Sequence, residues 1–276
     1  MVSDGQCSLG GNFVAFDFAE VMKGSASLRQ DDPKLIEVIR TQYLNPASTK
    51  PYKMKNNKDD PSQFNQPTEI LKLLGPIRNG FFIECGAYDG ETFSNTLNFE
   101  RTLGWRGLLV EGDPNNYKAL LRMNRKAWTV GACLSIKPFP HSVMFQMKGT
   151  GGLIRRDMEG KVSRPKNVVE VQCLPLFSLL LALNVTTVDY FSLDVEGLEL
   201  EVLKTIPWDK VHIKTLSVEH QHGVWSKDDL RRYMEQQGYW TYNNVTKFRA
   251  DFLDFIFVKN TFKTRKEYLS SRQSKQ

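Results

Sequence analysis

Apolar and polar positions along this chain fall into short blocks that change period repeatedly. Apolar runs recur at Phe81–Cys85, Leu108–Glu111, Thr129–Leu134, Val188–Leu193, Thr215–Val218 and Phe252–Val258. Stretches with helical spacing lie between most of them, at Thr92–Thr102, Asn115–Arg125, Leu198–Ile206 and Lys227–Gln237. Such alternation of strand and helix predicts an α/β fold, a mostly parallel sheet with helices on both faces. Trp240–Val245 and Phe252–Val258 are joined by a short polar link and predict an antiparallel hairpin at one edge. Upstream, Asp31, Asp32 and Pro33 predict the start of a helix running to about Tyr43: an acidic cap, then proline in the first turn. A polar stretch over 45–66 reads as loop, and a short helix over Thr68–Leu74 stops at Gly75-Pro76. The rhythm breaks between Pro138 and Val171, where Val143–Met147 and Val168–Cys173 predict strands around a Gly- and Arg-rich loop. The expected organisation is a flexible 1–30, a helical extension or lid over 31–79, one domain over 80–260 with an insertion at about 138–171, and a basic tail over 261–276.

Composition changes this picture little, but charge changes it more. The 276 residues are 41% hydrophobic and 25% charged, ordinary for a globular protein, which excludes a wholly disordered chain. The net charge of +6 invites a polyanion partner. Six basic residues and a single acid, Glu267, fall within 259–276, so the body is nearly neutral and the excess is largely a property of the tail. The four cysteines (Cys7, Cys85, Cys133, Cys173) are scattered and predict neither a disulfide framework nor a zinc module. The longest apolar-leaning run, Leu174–Leu183, is interrupted by Pro175 and Ser178 and is too short to span a bilayer. The first residues carry no leader pattern, and Met-Val is no myristoylation signal. The chain as written is expected to be cytoplasmic.

The candidate chemistry sits at strand ends. In Phe81–Gly90, an apolar strand ends in Glu84, then Gly86 allows a tight turn and close approach to a ligand. Gly86 and Gly90 do not make the dinucleotide fingerprint, and no phosphate-loop Lys-Ser/Thr follows. A strand-end acid repels a pyrophosphate and suits an ammonium group. Glu111 ends the next strand, 21 residues after Gly90, where a ribose diol finds its acceptor. The third run ends in Gly131, Ala132 and Cys133, small enough to admit a flat ring, although alone this reads as close packing. The fourth delivers Asp194 and Glu196 beside Gly197. These carboxylates could hold a divalent metal, orient a cationic group or act as general base. Glu199 and Glu201 read as acids favouring a helix N-terminus. The fifth run ends in Glu219 and His220, and His220 reads equally as proton acceptor and as structural histidine.

Together these motifs resemble the FkbM-type family of S-adenosylmethionine-dependent methyltransferases, over roughly Gly80–Val258. IECGAYDGE is similar to the family's first cofactor motif, VEGDP to its ribose motif, and LDVEGLELEVL to its signature Asp-x-Glu-Gly segment. The resemblance implies a Rossmann-like class I methyltransferase fold with a mostly parallel seven-stranded sheet. It implies S-adenosylmethionine held by Glu84, Gly86, Ala87, Tyr88, Gly90, Glu111, Ala132, Cys133 and Asp194. It places Asp194, Glu196, Glu219 and His220 at the methyl-transfer site, with a hydroxyl of a small molecule or glycan as acceptor. Metal is not assigned, Asp194 and Glu196 being the pair a divalent ion would use. Within the family, FIECGAYDG, GWRGLLVEGDP and TLSVEH are similar to an arthropod, Star-like branch. That branch implies a different role: endoplasmic reticulum to Golgi and endosomal transport of membrane-protein cargo, from a longer anchored form, with little catalysis. The basic loop Arg155–Lys166 would then be an interaction surface, and the sequons at Asn184 and Asn244 would be open to glycosylation. A nucleic-acid partner is not expected, since the body has no Asn/Asp-Pro-Pro-Tyr/Phe motif and no aromatic-rich basic stripe.

Overall fold

The computed structural model describes Met22 and residues 28–273, apart from 57–59, 63–64, 162, 221–224, 243–246, 249–250 and 253. The expected flexibility of 1–30 and the Asn244 sequon lie mostly or wholly outside the described residues.

Strands run in chain order as β1 (Leu44–Asn45), β2 (Phe81–Cys85), β3 (Arg106–Val110), β4 (Trp128–Val130), β5 (Cys133–Leu134), β6 (His141–Gln146) and β7 (Leu153–Ile154). They continue as β8 (Val168–Leu174), β9 (Thr187–Leu193), β10 (His212–Glu219), β11 (Tyr239–Tyr242), β12 (Lys247–Phe248), β13 (Asp251–Phe252) and β14 (Asp254–Lys259). The main sheet has eight strands in the order β1-β4-β3-β2-β9-β10-β14-β11. From β4 to β10 all pairings are parallel, whereas β14 is antiparallel to both β10 and β11. The parallel strands are buried almost end to end, as strands covered by helices on both faces must be. Their side chains alternate between two cores. Ile83, Leu108, Val110 and Phe191 pack on one face, with the helix Leu176–Ala182. Phe82, Leu109 and Tyr190 pack on the other, with Phe99 and Trp105.

The predicted edge hairpin exists, but β14 inserts between β10 and β11, which a chain-order reading does not reveal. The run predicted as one strand over Thr129–Leu134 is two strands in different sheets. β4 ends at Val130, the chain bends at Gly131 and Ala132, and β5 joins a four-stranded sheet ordered β5-β8-β6-β7. Gly131 is needed at this crossing because a Cβ there would meet the Tyr117 ring at 2.5 Å. The second sheet is built mainly from the predicted insertion. The two sheets meet at the carboxyl ends of β2, β3 and β9.

The helix expected over Thr92–Thr102 begins only at Leu97. Side chains satisfy the preceding backbone groups instead: the Asp89 carboxylate accepts from the Glu91 and Thr92 amides, and Glu84 accepts from that of Asn95. The N-terminal helix is shorter than expected, Pro33–Val38, and continues as a wider π-helical turn, Ile39–Tyr43. Its Leu35 and Ile39 are fully buried in one core, and Ile70 and Leu73 of the helix Gln66–Leu74 in the other. The basic tail is anchored too. A helix over Arg265–Gln273 buries Tyr268, whose hydroxyl meets that of Tyr242 at 3.1 Å.

Candidate active site

Two adjoining hollows open at the carboxyl ends of the parallel strands, the position at which open α/β sheets bind ligands. The first encloses about 650 Å³. Gly86, Tyr88, Glu111, Ala132, Cys133, Asp194 and Glu196 line its polar side and ends, and Leu134, Phe145, Ile154 and Val202 its apolar wall. The second is a wider cleft of about 1880 Å³. Five carboxylates line it, those of Glu84, Asp194, Glu196, Glu219 and Asp254, against a single described base, Lys148.

The turn after β2 is held from both sides. Gly86 has φ of +83°, and a Cβ on it would overlap the Asp194 carbonyl oxygen, so only glycine lets the first and fourth strand ends approach. Its amide and that of Ala87 donate to the Val110 carbonyl, each at 3.1 Å. Tyr88 and Glu196 also have positive φ, at 49° and 56°, so strained backbone flanks the hollow on two sides.

Glu111 is 5% exposed. Its two oxygens accept from the amides of Tyr88 and Asp113, each at 2.7 Å. Burial pushes its carboxyl up to about 7, although both backbone donors favour the ionised form. Glu84 is committed elsewhere. Its oxygens take the Ser94 hydroxyl at 2.8 Å, the Thr96 hydroxyl at 2.6 Å and the Asn95 amide at 2.6 Å. Burial raises it as well, the Arg125 charge opposing. It therefore braces the 94–96 loop while still lining the cleft.

Asp194 keeps surface open to both hollows, but protein groups, other acids among them, crowd its carboxyl. Burial of its carboxyl among protein groups, then the charges of Glu219 and Glu196, holds it well above the usual carboxylate range. Glu219 is likewise raised by burial, so the pair keeps a proton to higher pH than an isolated carboxylate would. Glu199 stands in the first turn of the helix Glu199–Thr205, as expected, and has a further role there. It is 1% exposed, and its Oε1 turns back to accept from the amides of Val195 and Gly197 at 2.9 and 3.1 Å. That contact fixes the loop that carries Glu196.

Several expected residues stand elsewhere. Gly90 lines neither hollow; a Cβ there would meet Leu120 at 3.2 Å, on the core side. His220 is buried with its ring 4.5 Å from that of Phe255, and it lines neither hollow. Ala87 borders the cleft rather than the first hollow. Cys133 lies at the hollow and is joined to Cys173 in a disulfide, a single bridge that the scattered cysteines, read as no disulfide framework, did not announce. β5 and β8 run parallel with these two residues in register, which brings them together. Arg155 of the basic loop forks onto Asp157 at 2.8 and 2.7 Å and is not a free cation. Sequence reasoning missed Asn116, Phe145 and Thr150 on the first hollow, and Gln66 and Asp254 on the cleft. The Gly-rich loop 149–152 was their one visible signal.

The strand order, the reversed β14 and a site at the ends of β2, β3 and β9 define a Rossmann-like fold of the class I methyltransferase type. The chain belongs to the FkbM methyltransferase family: the model of the methyltransferase FkbM domain matches residues 84–240. No curated protein matches the chain. Among solved structures, methyltransferase FkbM from Methylobacillus flagellatus is 14% identical, with TM-score 0.43, over 65% of this chain. This chain covers only 43% of that protein. TrmK from M. capricolum, in complex with S-adenosyl-homocysteine, is 11% identical with TM-score 0.39, over 71% of this chain and 68% of its own. A TehB-like SAM-dependent methyltransferase from Corynebacterium glutamicum is 11% identical with TM-score 0.39, over 70% and 86%.

Proposed function

We propose that the chain binds S-adenosylmethionine in the 650 Å³ hollow and methylates a hydroxyl oxygen of a small molecule or sugar held in the acidic cleft. The observation that carries this reading is the division of the hollow's lining. An acceptor-only carboxylate, Glu111, suits a ribose diol, and the apolar wall of Leu134, Phe145 and Ile154 suits an adenine ring. Asp194 and Glu196 suit a cationic sulfonium, and no basic side chain lines the hollow among the described residues. When bound, the cofactor supplies a methyl group activated for in-line transfer to oxygen.

The residues of the chain then have separate tasks. Gly86 lets the Asp194 backbone close against the first turn, fixing the distance between the two halves of the site. Glu219, which burial pushes up to about 7, is poised to take the acceptor's proton near neutral pH, beside Asp194, which burial and then the Glu219 and Glu196 charges raise. The acidic cleft selects against anionic acceptors. Isothermal titration with S-adenosylhomocysteine tests the reading. Saturable binding by wild type and weaker binding by Glu111→Ala are expected; no heat from well-folded wild type at high ligand overturns it.

One observation favours a second reading. A disulfide such as Cys133–Cys173 persists in oxidising compartments. We infer that the domain also suits a luminal, Star-like transport role, in which the fold serves cargo binding. The exposed Asn184, at the turn after the helix Leu176–Ala182, would then carry a glycan. Asp194→Ala with Glu196→Ala should leave cargo export from the endoplasmic reticulum intact, and lost export would count against this role. Among the described residues no helix is long and apolar enough to cross a membrane.

A further inference from the structure

We propose that Asp194, Glu199 and Glu219 form a binding site for a hard divalent cation of the Mg²⁺, Mn²⁺ or Ca²⁺ kind. Each contributes a carboxylate oxygen, and these oxygens all lie within 4.8 Å of one another. Oxygens on opposite sides of a cation bound at about 2.1–2.4 Å stand about 4.2–4.8 Å apart, so one ion can reach all three without rearranging the backbone.

The acidic grouping would say little alone, because carboxylates often gather where water dissolves their repulsion. Glu199 makes the difference. It is 1% exposed, and only its Oε1 is engaged, by the Val195 and Gly197 amides. Its Oε2 is buried and has no hydrogen-bond partner among the described residues. A buried carboxylate oxygen left unsatisfied costs several times what a typical hydrogen bond returns. A cation from solution would give that oxygen the partner it lacks.

The donor set indicates which ion. Three carboxylates are hard oxygen ligands, and no described thiol or imidazole belongs to the group, which disfavours zinc and copper. Asp194 and Glu219 line the open cleft, so water or a ligand hydroxyl can complete the coordination. The three residues come from the ends of β9 and β10 and the helix Glu199–Thr205, so the main sheet fixes the site. The site stands independently of methyl transfer. If the methyltransferase reading holds, an ion here would acidify a bound acceptor hydroxyl, a task otherwise left to a carboxylate.

The experiment uses the full chain, stripped with EDTA and dialysed, titrated calorimetrically with MnCl₂, MgCl₂ or CaCl₂ alone. Bound Mn²⁺ is counted by loss of its free-ion paramagnetic resonance signal. One equivalent of Mn²⁺ should bind with Kd below about 1 mM. Glu199→Gln and Glu219→Gln should each weaken it by about tenfold or more. Glu170→Gln, on the exposed face of β8, should not change it. Where Glu199→Gln fails a circular-dichroism check, Glu219→Gln at the cleft surface carries the comparison. Absence of binding at about 10 mM Mn²⁺, or equal binding by wild type and both Gln variants, overturns the site. A parallel titration with S-adenosylhomocysteine in EDTA separates the two readings. Cation binding without cofactor binding supports the ion site and sinks the methyltransferase reading alone.

Discussion

At Glu111 burial and hydrogen bonding pull in opposite directions, and burial prevails. The carboxyl, pushed up to about 7, binds a proton in the folded chain at pH values where the unfolded chain has already lost it. Stability contributed by this group is therefore greatest at low pH and declines as pH rises from the ordinary glutamate range to about 7. Ribose hydroxyls donating to the ionised carboxylate reverse that preference, so ligand binding and deprotonation favour each other. S-Adenosylhomocysteine should bind about tenfold more tightly at pH 8 than at pH 6, and Glu111→Gln should bind weakly with no such slope. A flat wild-type profile in calorimetry would contradict this linkage. Glu111 and Asp194 were legible in the sequence because an apolar run ending in an acid fixes where that acid emerges. Glu199 was not. Helical spacing cannot distinguish an acid pointing to solvent from one turned back to hold the loop before it. Cys133 and Cys173 were equally hidden, since 40 residues separate them and only the pairing of β5 with β8 joins them.

Among the elements, the segment between β2 and the helix Leu97–Leu103 depends most on one side chain. Arg125 is fully buried and pairs with buried Glu100 at 3.0 Å. It also donates to the Gly90 carbonyl, to Ser94 and to Thr96 at 3.1 Å, the last two being partners of Glu84. One guanidinium thus ties the loop of the first motif to the chain beyond the second. Arg125→Leu leaves two buried carboxylates uncompensated and should cost about 3–5 kcal/mol in urea unfolding. Arg125→Lys keeps the charge without the fork and should fall between. Loss of less than about 1 kcal/mol in the leucine variant would contradict this bracing role. This network explains why helix boundaries were the least legible part of the fold. Period and composition favour a helix from Thr92, but side-chain oxygens of Asp89 and Glu84 satisfy the backbone first. The split of Thr129–Leu134 escaped for a related reason. A continuous apolar run does not announce that its two halves belong to different sheets.

For the whole molecule, the disulfide ties β5, which reaches the first hollow at Cys133, to its neighbour β8 in the second sheet. It closes a loop of 40 residues that includes β6, β7 and the Gly-rich segment over the hollow. On chain-entropy grounds it should contribute about 4 kcal/mol, so Cys173→Ser, or dithiothreitol, should lower the urea midpoint markedly. An unchanged midpoint on reduction would show that the second sheet is held by its packing alone. The alternation of strands and helices, and with it the parallel order of the sheet, followed from hydrophobic period and connection rules. The position of β14 did not, because nothing local distinguishes an outer strand from one inserted beside it. That insertion bears on how the chain is made. β10 has no neighbour on its far side until Asp254–Lys259 has been synthesised, and β11, made earlier, has nothing to dock on. A nascent chain leaving the ribosome therefore carries an open strand edge for some 35–40 residues of elongation after β10 emerges. Chains stopped before Asp254 should accumulate as aggregates bound by chaperones, whereas completion of a single late strand shields the edge and finishes the sheet.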